Sequence, residues 1–388
     1  MGCPEMSPSR QPLLPEMCYT PSTCHRLQRV LDCPGIPGTI CTRQGPIHKR
    51  TDQPEVTRSM FSRISPRRMS QLFFLSLTLF IGWRFALWAA ALAQGEIPSV
   101  VRPPAVDAFL PISGLLNLKY TLATGTIHGA HPAALLLFLA VCASALLVKK
   151  GFCSFVCPVG FAGEMAGKLG GKANLARPLP RFLDLPLRGI KYLLLGFFLW
   201  TILVKMPVPA IRGFLSGSTN LTADIRMFRF FAHPSTGSLV TLGLFLVLPA
   251  LIKNGWCRYL CPYGALLGLL SFFSILKIHR SESACTHCGR CAKACPSSLA
   301  VDQKKVMLSD ECTGCLTCVT SCPEKEALRL STSPSGTPWS PKAVALLMVL
   351  LFFLTAGAGR LSGNWKSHAS DRTLRMEVMK MNMPERRM

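Results

Sequence analysis

Between Cys285 and Pro323 the chain reads CTHCGRCAKACP and then CTGCLTCVTSCP, so the pattern Cys-x2-Cys-x2-Cys-x3-Cys-Pro occurs twice. Thiolates are soft ligands, and with this spacing bacterial ferredoxins hold a pair of [4Fe-4S] clusters. Each tight loop gives three sulfurs to one cluster and its fourth to the other. That rule assigns Cys285, Cys288, Cys291 and Cys322 to one cluster, and Cys312, Cys315, Cys318 and Cys295 to the second. Structural zinc is the competing chemistry, but four-coordinate zinc has no use for the third cysteine of each run. Disulfides are disfavoured in a reducing cytoplasm. No Cys-x2-Cys-His is present for covalent haem attachment.

Four further cysteines follow a second pattern. KKGFCSFVCPVG, from Lys149, aligns with KNGWCRYLCPYG, from Lys253, at an offset of 104. Both read Lys-x-Gly-aromatic-Cys-x3-Cys-Pro-x-Gly. Upstream, HPAALLLF at His131 answers HPSTGSLVTLGLF at His233, and FLPISGLLNL at Phe109 answers FLSGSTNL at Phe214. This is an internal repeat, with halves at about residues 67–163 and 186–267. Proline disfavours helical geometry at the residue before it, which places Cys157 and Cys261 where a helix ends or begins. A pseudo-two-fold axis along the membrane normal would bring Cys153, Cys157, Cys257 and Cys261 together as a thiolate site for a metal or a further cluster. Two helix-end turns with inert buried cysteines are the plainer alternative.

The elements that must position these thiols are apolar. The chain is 49% hydrophobic, and its apolar residues gather in runs at Leu72 to Ala93, Ala133 to Val148, Ile190 to Val204, Leu239 to Ile252 and Ala343 to Gly357, as in a membrane protein. A shorter run, Ala265 to Leu276, is expected at the inner interface, leading into the cluster segment. The formal charge of +24 does not indicate nucleic acid, because the basic residues flank the apolar runs. Arg58, Arg63, Arg67 and Arg68 precede the first, and Lys149, Lys150, Lys168, Lys172, Arg177, Arg181 and Arg188 fill the gap between the second and third. By the positive-inside rule these segments are cytoplasmic. SPRRMSQLFFL with ALAQ also fits a cleaved twin-arginine signal. The repeat needs this first run as a span, so an uncleaved anchor is the better reading.

The expected fold is therefore an α-helical polytopic membrane protein with two repeated hairpins, four to five spans and a bacterial 2[4Fe-4S] ferredoxin-like domain. Residues 1–59, rich in Pro, Ser, Thr and Arg, form either a disordered extension or an overlong start with Met60 as the true one. Their cysteines, Cys3, Cys18, Cys24, Cys33 and Cys41, have no regular spacing. The membrane domain is expected over 60–280, the ferredoxin domain over 281–330, a fifth span over 341–358 and a polar tail over 359–388.

With FCSFVCP, WCRYLCP and both ferredoxin motifs in view, residues 67–330 resemble the NapH-type membrane ferredoxins, the quinol dehydrogenase component associated with periplasmic nitrate reductase. Similar modules occur in nitrous oxide reductase regulators and in copper-reducing oxidase assembly proteins, which carry additional domains. The resemblance implies a bacterial inner-membrane, multi-pass electron carrier with its ferredoxin domain in the cytoplasm. It would pass electrons between the quinol pool and a redox partner such as a reductase subunit, ferredoxin or cytochrome, with lipid but no nucleic acid as further partner. The alternative is an assembly or regulatory factor that reduces a metal or thiol of a respiratory metalloenzyme, with the Cys-x3-Cys-Pro thiols as its working site.

Three residues are candidates for a quinol site. His131 and His233 open the second span of each half and would take protons or ligate a haem. The ordinary explanation is that His-Pro starts a helix, and His128 adds little. Arg84, in the middle of the first run, is either a partner for a quinone head group or a snorkelling side chain. Asp224 reads as a solvated loop carboxylate or a proton relay, and Cys142 as a small buried side chain. No nucleophile elbow, phosphate loop or dinucleotide fingerprint occurs.

Overall fold

Proline opens most of the helices. Pro66, Pro111, Pro132, Pro158, Pro262 and Pro341 each stand at the first helical position, where the missing N–H costs nothing and the fixed φ is already helical. The computed structural model describes residues 65–382 apart from 174, 176–179 and 253. The expectations for residues 1–59, with their five cysteines and Met60, lie outside the described residues.

The first half runs through α1 (Pro66–Ala93), a 3-10 turn (Pro104–Phe109), α2 (Pro111–Thr124), α3 (Pro132–Leu147), a short turn (Gly151–Phe155) and α4 (Pro158–Lys172). The second runs through α5 (Arg181–Leu199), extended by a π-turn to Lys205, then α6 (Val208–Ser216), α7 (Ala223–Ala232), α8 (Thr236–Leu251), a π-turn (Trp256–Leu260) and α9 (Pro262–Leu270). The order of the halves corresponds, with α3 matching α8 and α4 matching α9. A left-handed residue follows the matching helix in each, Lys149 and Asn254.

Helices Pro66–Ala93, Phe182–Lys205 and Pro341–Leu361 are long and apolar enough to cross a membrane. The pair α7 and α8, bent by 80°, makes a fourth if counted as one. The run expected as a span at Ala133 to Val148 forms α3, whose 16 residues reach about 24 Å against a hydrocarbon core of about 30 Å. It is apolar all round, and Ala133, Ala134, Leu135, Leu137, Phe138 and Val141 are among its buried residues. A helix of that kind belongs in a core. The outer helices instead turn large apolar side chains outward, including Leu79, Phe80, Leu193, Phe197, Leu244 and Leu354, the surface that lipid covers.

At the base of the bundle α9 and a 3-10 turn to Phe273 lead straight into β1 (Lys277–Arg280). Ile275 and Leu276 donate N–H bonds to the carbonyls of Leu146 and Leu147, at 2.7 and 2.9 Å, which satisfies two of the orphan carbonyls at the end of α3. β1 pairs antiparallel with β2 (Leu328–Ser331), Lys277 opposite Ser331. The two cysteine motifs lie between the strands, with helical turns at Arg290–Ala294 and Thr317–Thr320.

After β2 comes α10 (Pro341–Leu361), on the expected fifth run. The segment expected as a polar tail contains α11 (Asp371–Asn382). Its Leu374 and Val378, one turn apart, are buried against Phe85, Trp88 and Leu92 of α1. One apolar residue per turn is too faint a stripe to stand out in a polar sequence.

Candidate functional site

The ferredoxin segment gathers its thiols around a small core built from Ile278, Val301, Leu316, Leu328 and Leu330. Cys291, Cys312 and Cys318 are buried within it, and Cys288 is exposed. The electrostatic neighbours fall into the crossed sets. Cys322 acts on Cys291, while Cys312, Cys315 and Cys295 all act on Cys318. Burial pushes the Cys312 thiol up to about 11, with Cys315 and Cys295 adding to it against the opposing amide of Gly314. Soft sulfurs drawn from both motifs, with Cys291, Cys312 and Cys318 among them buried, are a donor set that fits an iron–sulfur cluster.

The second thiol set lies where the helices of both halves end. Cys157 and Cys261 are the N-caps of α4 and α9, with extended backbone before each proline. The Gly264 N–H donates to Cys261 Sγ at 3.2 Å, so α9 directs its positive end at the second cysteine of its motif. The glycine of Cys-Pro-x-Gly has a geometric reason. A Cβ on Gly160 would stand 2.2 Å from the carbonyl oxygen of Cys153, and one on Gly264 would stand 3.4 Å from that of Cys257. Absence of a side chain lets the start of α4 fold back against Cys153, whereas the start of α9 has room for a methyl.

Cys153, Cys157, Cys257 and Cys261 all line one cavity of about 930 Å3. The thiols of both halves act on one another there: Cys261, Cys157 and Cys153 all raise Cys257, after burial, which is the largest cause. Burial pushes Cys153 up to about 12 and Cys157 to about 11. Among the described residues no three His, Cys, Asp or Glu side chains are spaced to hold a single metal ion. A cubane distributes its four thiolates over four irons and does not require that they close on one point.

An ion network ties the thiol cavity to the ferredoxin segment. Glu311, next to the ligand candidate Cys312, pairs with Lys150 at 3.4 Å and with Lys191. Lys191 also stands 3.7 Å from Asp310, which accepts from the Tyr192 hydroxyl at 2.5 Å. The Lys150 N–H donates to the Cys312 carbonyl at 3.4 Å, and Ser154 Oγ donates to that of Thr313 at 2.8 Å. Both Lys150 and Glu311 line the cavity. None of this was apparent from the spacing of charged residues in the chain.

The quinol-site candidates are distributed differently. His131 is buried, with Nδ1 3.0 Å from Asp107 Oδ1 and Nε2 2.9 Å from the Asn220 carbonyl. His233, by contrast, is exposed at the end of α7. Arg84 is half-buried in α1, with no ion pair among the described residues. Asp224 is not a solvated loop carboxylate: it is 1% exposed and bonded to Arg102 at 2.7 Å. Burying its charge is possible because Arg102 lies against it. Cys142 is half-buried in α3. The arginines of SPRR, Arg67 and Arg68, pair with Glu164 of α4, Arg68 at 2.9 Å, which ties the start of α1 to the helix after the first thiol motif.

A family model described as a 4Fe-4S dicluster domain matches residues 277–329. A second, a 4Fe-4S binding domain, matches twice, at 130–175 and 235–280, once in each half. YccM of Escherichia coli (strain K12), a protein named for electron transport, is 41% identical over 310 residues, covering 78% of this chain and 86% of YccM. The ferredoxin-type protein NapH of the same organism is 28% identical over 59% of this chain and 73% of its own length. The methylamine utilization ferredoxin-type protein MauN of Paracoccus denitrificans is 30% identical over 39% of this chain and 50% of MauN. No solved structure matches significantly.

Proposed function

The chain belongs to the NapH-like family of membrane polyferredoxins that carry electrons through iron–sulfur groups, and from that premise we propose that it exchanges electrons between membrane quinol and two [4Fe-4S] clusters. The observation that carries this reading is the cavity. Its walls are largely apolar and include Leu77, Leu137, Phe138 and Phe352, while its inner end is lined by all four Cys-x3-Cys-Pro thiols and by Glu311 and Thr313 of the ferredoxin segment. Ligand cavities run from about 300 to 1,000 Å3 with mostly apolar walls and a few polar groups, and an isoprenoid quinone fits that description.

Cys285, Cys288, Cys291 and Cys322 would hold one cluster, and Cys312, Cys315, Cys318 and Cys295 the other. Such clusters supply one-electron transfer at potentials set by charge, hydrogen bonding and exposure. The chain's own part is to enclose the ring in a cavity that reaches the thiols and the ferredoxin segment, and to hold the intervening charges fixed. Lys150 and Glu311 do the latter, one on the membrane side and one beside Cys312. Cys153, Cys157, Cys257 and Cys261 would hold a further cluster between quinol and ferredoxin. The basic flanks support a ferredoxin segment on the cytoplasmic face of a bacterial inner membrane. Reporter fusions at residues 330 and 380 test that topology, and a periplasmic signal at 330 would overturn it.

The deciding experiment adds duroquinol anaerobically to the protein in nanodiscs and follows the iron–sulfur absorbance. Exchange with the clusters is expected, and is expected to stop when Cys153, Cys157, Cys257 and Cys261 are replaced by serine. No exchange in the unaltered protein overturns the reading. If metal reduction then proceeds through the same four thiols, the protein is an assembly factor instead.

A further inference from the structure

The cavity has a second polar end. His131 caps the start of α3 and Lys150 follows its finish, so bonding of Asp107 to His131 places Asp107 roughly 24 Å of helix away from the thiol end. Ala134, Leu137, Phe138 and Val141, spaced along one face of α3, line the cavity between them.

Asp107 is 1% exposed. Its Oδ1 takes both available donors, Arg102 Nη2 at 2.5 Å and His131 Nδ1 at 3.0 Å. Arg102 is in turn fixed by Asp224, and His131, which as an imidazolium donates from both ring nitrogens, by its Nε2 bond to the Asn220 carbonyl. Asp107 Oδ2 is buried and has no hydrogen-bond partner among the described residues, while Asp107 itself lines the cavity. Leaving a buried acceptor unmade is costly, and more so for a charged one. The oxygen therefore lacks a donor that the protein does not supply and that a ligand in the cavity can.

An ionised carboxylate only accepts. Burial pushes the Asp107 carboxyl up, but the Arg102 charge and the His131 bond outweigh it and hold the group below the usual carboxylate range. A hydroquinone offers a hydroxyl to Oδ2, whereas the oxidised quinone offers a carbonyl oxygen that also only accepts. Arg360, another charged group lining the cavity, is exposed and can be satisfied by water in either case.

We propose that Asp107 is a selective acceptor for a quinol hydroxyl, so that this end of the cavity takes the reduced ring in preference to the oxidised one. The inference rests on the quinone reading of the cavity and adds to it a residue that sorts the two redox states of the ring. Standing at the far end from the thiols, Asp107 acts as a docking point for the reduced ring.

Equilibrium binding of duroquinol and duroquinone to the full chain in nanodiscs, read by quenching of tryptophan fluorescence, tests it. The unaltered protein is expected to bind duroquinol about tenfold or more tightly over duroquinone, the scale of a charge-assisted hydrogen bond made or missed. Asp107→Asn replaces the acceptor with a group that can also donate, and is expected to bring the ratio close to one. Equal affinities in the unaltered protein overturn the inference and leave the quinone reading standing, as does an Asp107→Asn protein that keeps the preference. Failure of the unaltered protein to bind either compound overturns both.

Discussion

Lys150 Nζ stands 3.4 Å from Glu311 Oε2, each side chain 4% exposed, although the two lie 161 positions apart in the chain. Lys191, fully buried, closes on the other carboxylate oxygen. One carboxylate thus compensates two buried ammonium groups, one from each half of the membrane domain. Removing it leaves Lys150 without its carboxylate and Lys191 with only Asp310, at 3.7 Å, and breaking a buried pair in this way costs about 3–5 kcal/mol. Glu311→Gln is expected to lower the thermal midpoint of the purified protein and to expose residues 310–313 to protease. Glu282→Gln, whose side chain is 53% exposed in its ion pairs, is expected to change neither.

The two motif glycines are expected to differ in tolerance. Gly160→Ala drives a methyl to within 2.2 Å of the Cys153 carbonyl, while Gly264→Ala brings one only to ordinary contact at 3.4 Å. Overpacking of the first kind costs roughly 1–3 kcal/mol, so the thermal midpoint should fall clearly for Gly160→Ala and little for Gly264→Ala. Equal effects would mean that the first motif can shift to make room.

Crossed ligation predicts which serine variants resemble one another. Cys291→Ser and Cys322→Ser should both impair one cluster, and Cys295→Ser and Cys318→Ser the other, although Cys291 and Cys295 are neighbours in sequence. Electron paramagnetic resonance of the reduced proteins reads the surviving signal. A spectrum shared by Cys291→Ser and Cys295→Ser, and different from Cys322→Ser, would refute the crossing.

Glu164 gives a pH dependence of known sign. Burial opposes its ionisation, but Arg67 and Arg68 hold its carboxyl below the usual value for glutamate. The unfolded chain then binds this proton at a higher pH than the folded one. The stabilisation is complete above the unfolded value of about 4.3 and is lost as pH falls through the lower folded value. The difference in thermal midpoint between the unaltered protein and Glu164→Gln should be constant from about pH 8 to about pH 5 and narrow below. A gap that instead widens on acidification would reverse the assignment.

What could be read in the sequence was local. The eight ferredoxin cysteines announce their chemistry by spacing alone, and Cys-x3-Cys-Pro announces a helix boundary because proline dictates the geometry on both sides of itself. The repeat makes the meeting of four thiols an expectation of the sequence. The ion clusters stayed hidden because each joins residues far apart in the chain. Asp107 reaches His131 across 24 positions and Arg102 reaches Asp224 across 122, and no periodicity relates them. Asp224 reads as solvated because the other charges of its loop segment, Arg212, Arg226 and Arg229, are basic residues between apolar runs, whereas in space its neighbour is a buried arginine. The one available signal for Glu311 was its place beside Cys312, since a carboxylate next to a cluster ligand needs a partner from elsewhere.

The two halves share a pattern but not a setting. Helix α3 is enclosed by its neighbours, while α8, its counterpart, turns Leu239, Val240, Leu244, Leu246 and Val247 outward. A residue in α3 must suit the shape of several fixed neighbours, whereas one in α8 need only be greasy. If the halves arose by duplication, the copies have since been under unequal discipline: the inner one is frozen by fit, and the outer one drifts within a fluid that accepts almost any apolar shape. Comparison of related chains should therefore find the two thiol motifs changing little in either copy, and the helices that carry them changing at very different rates.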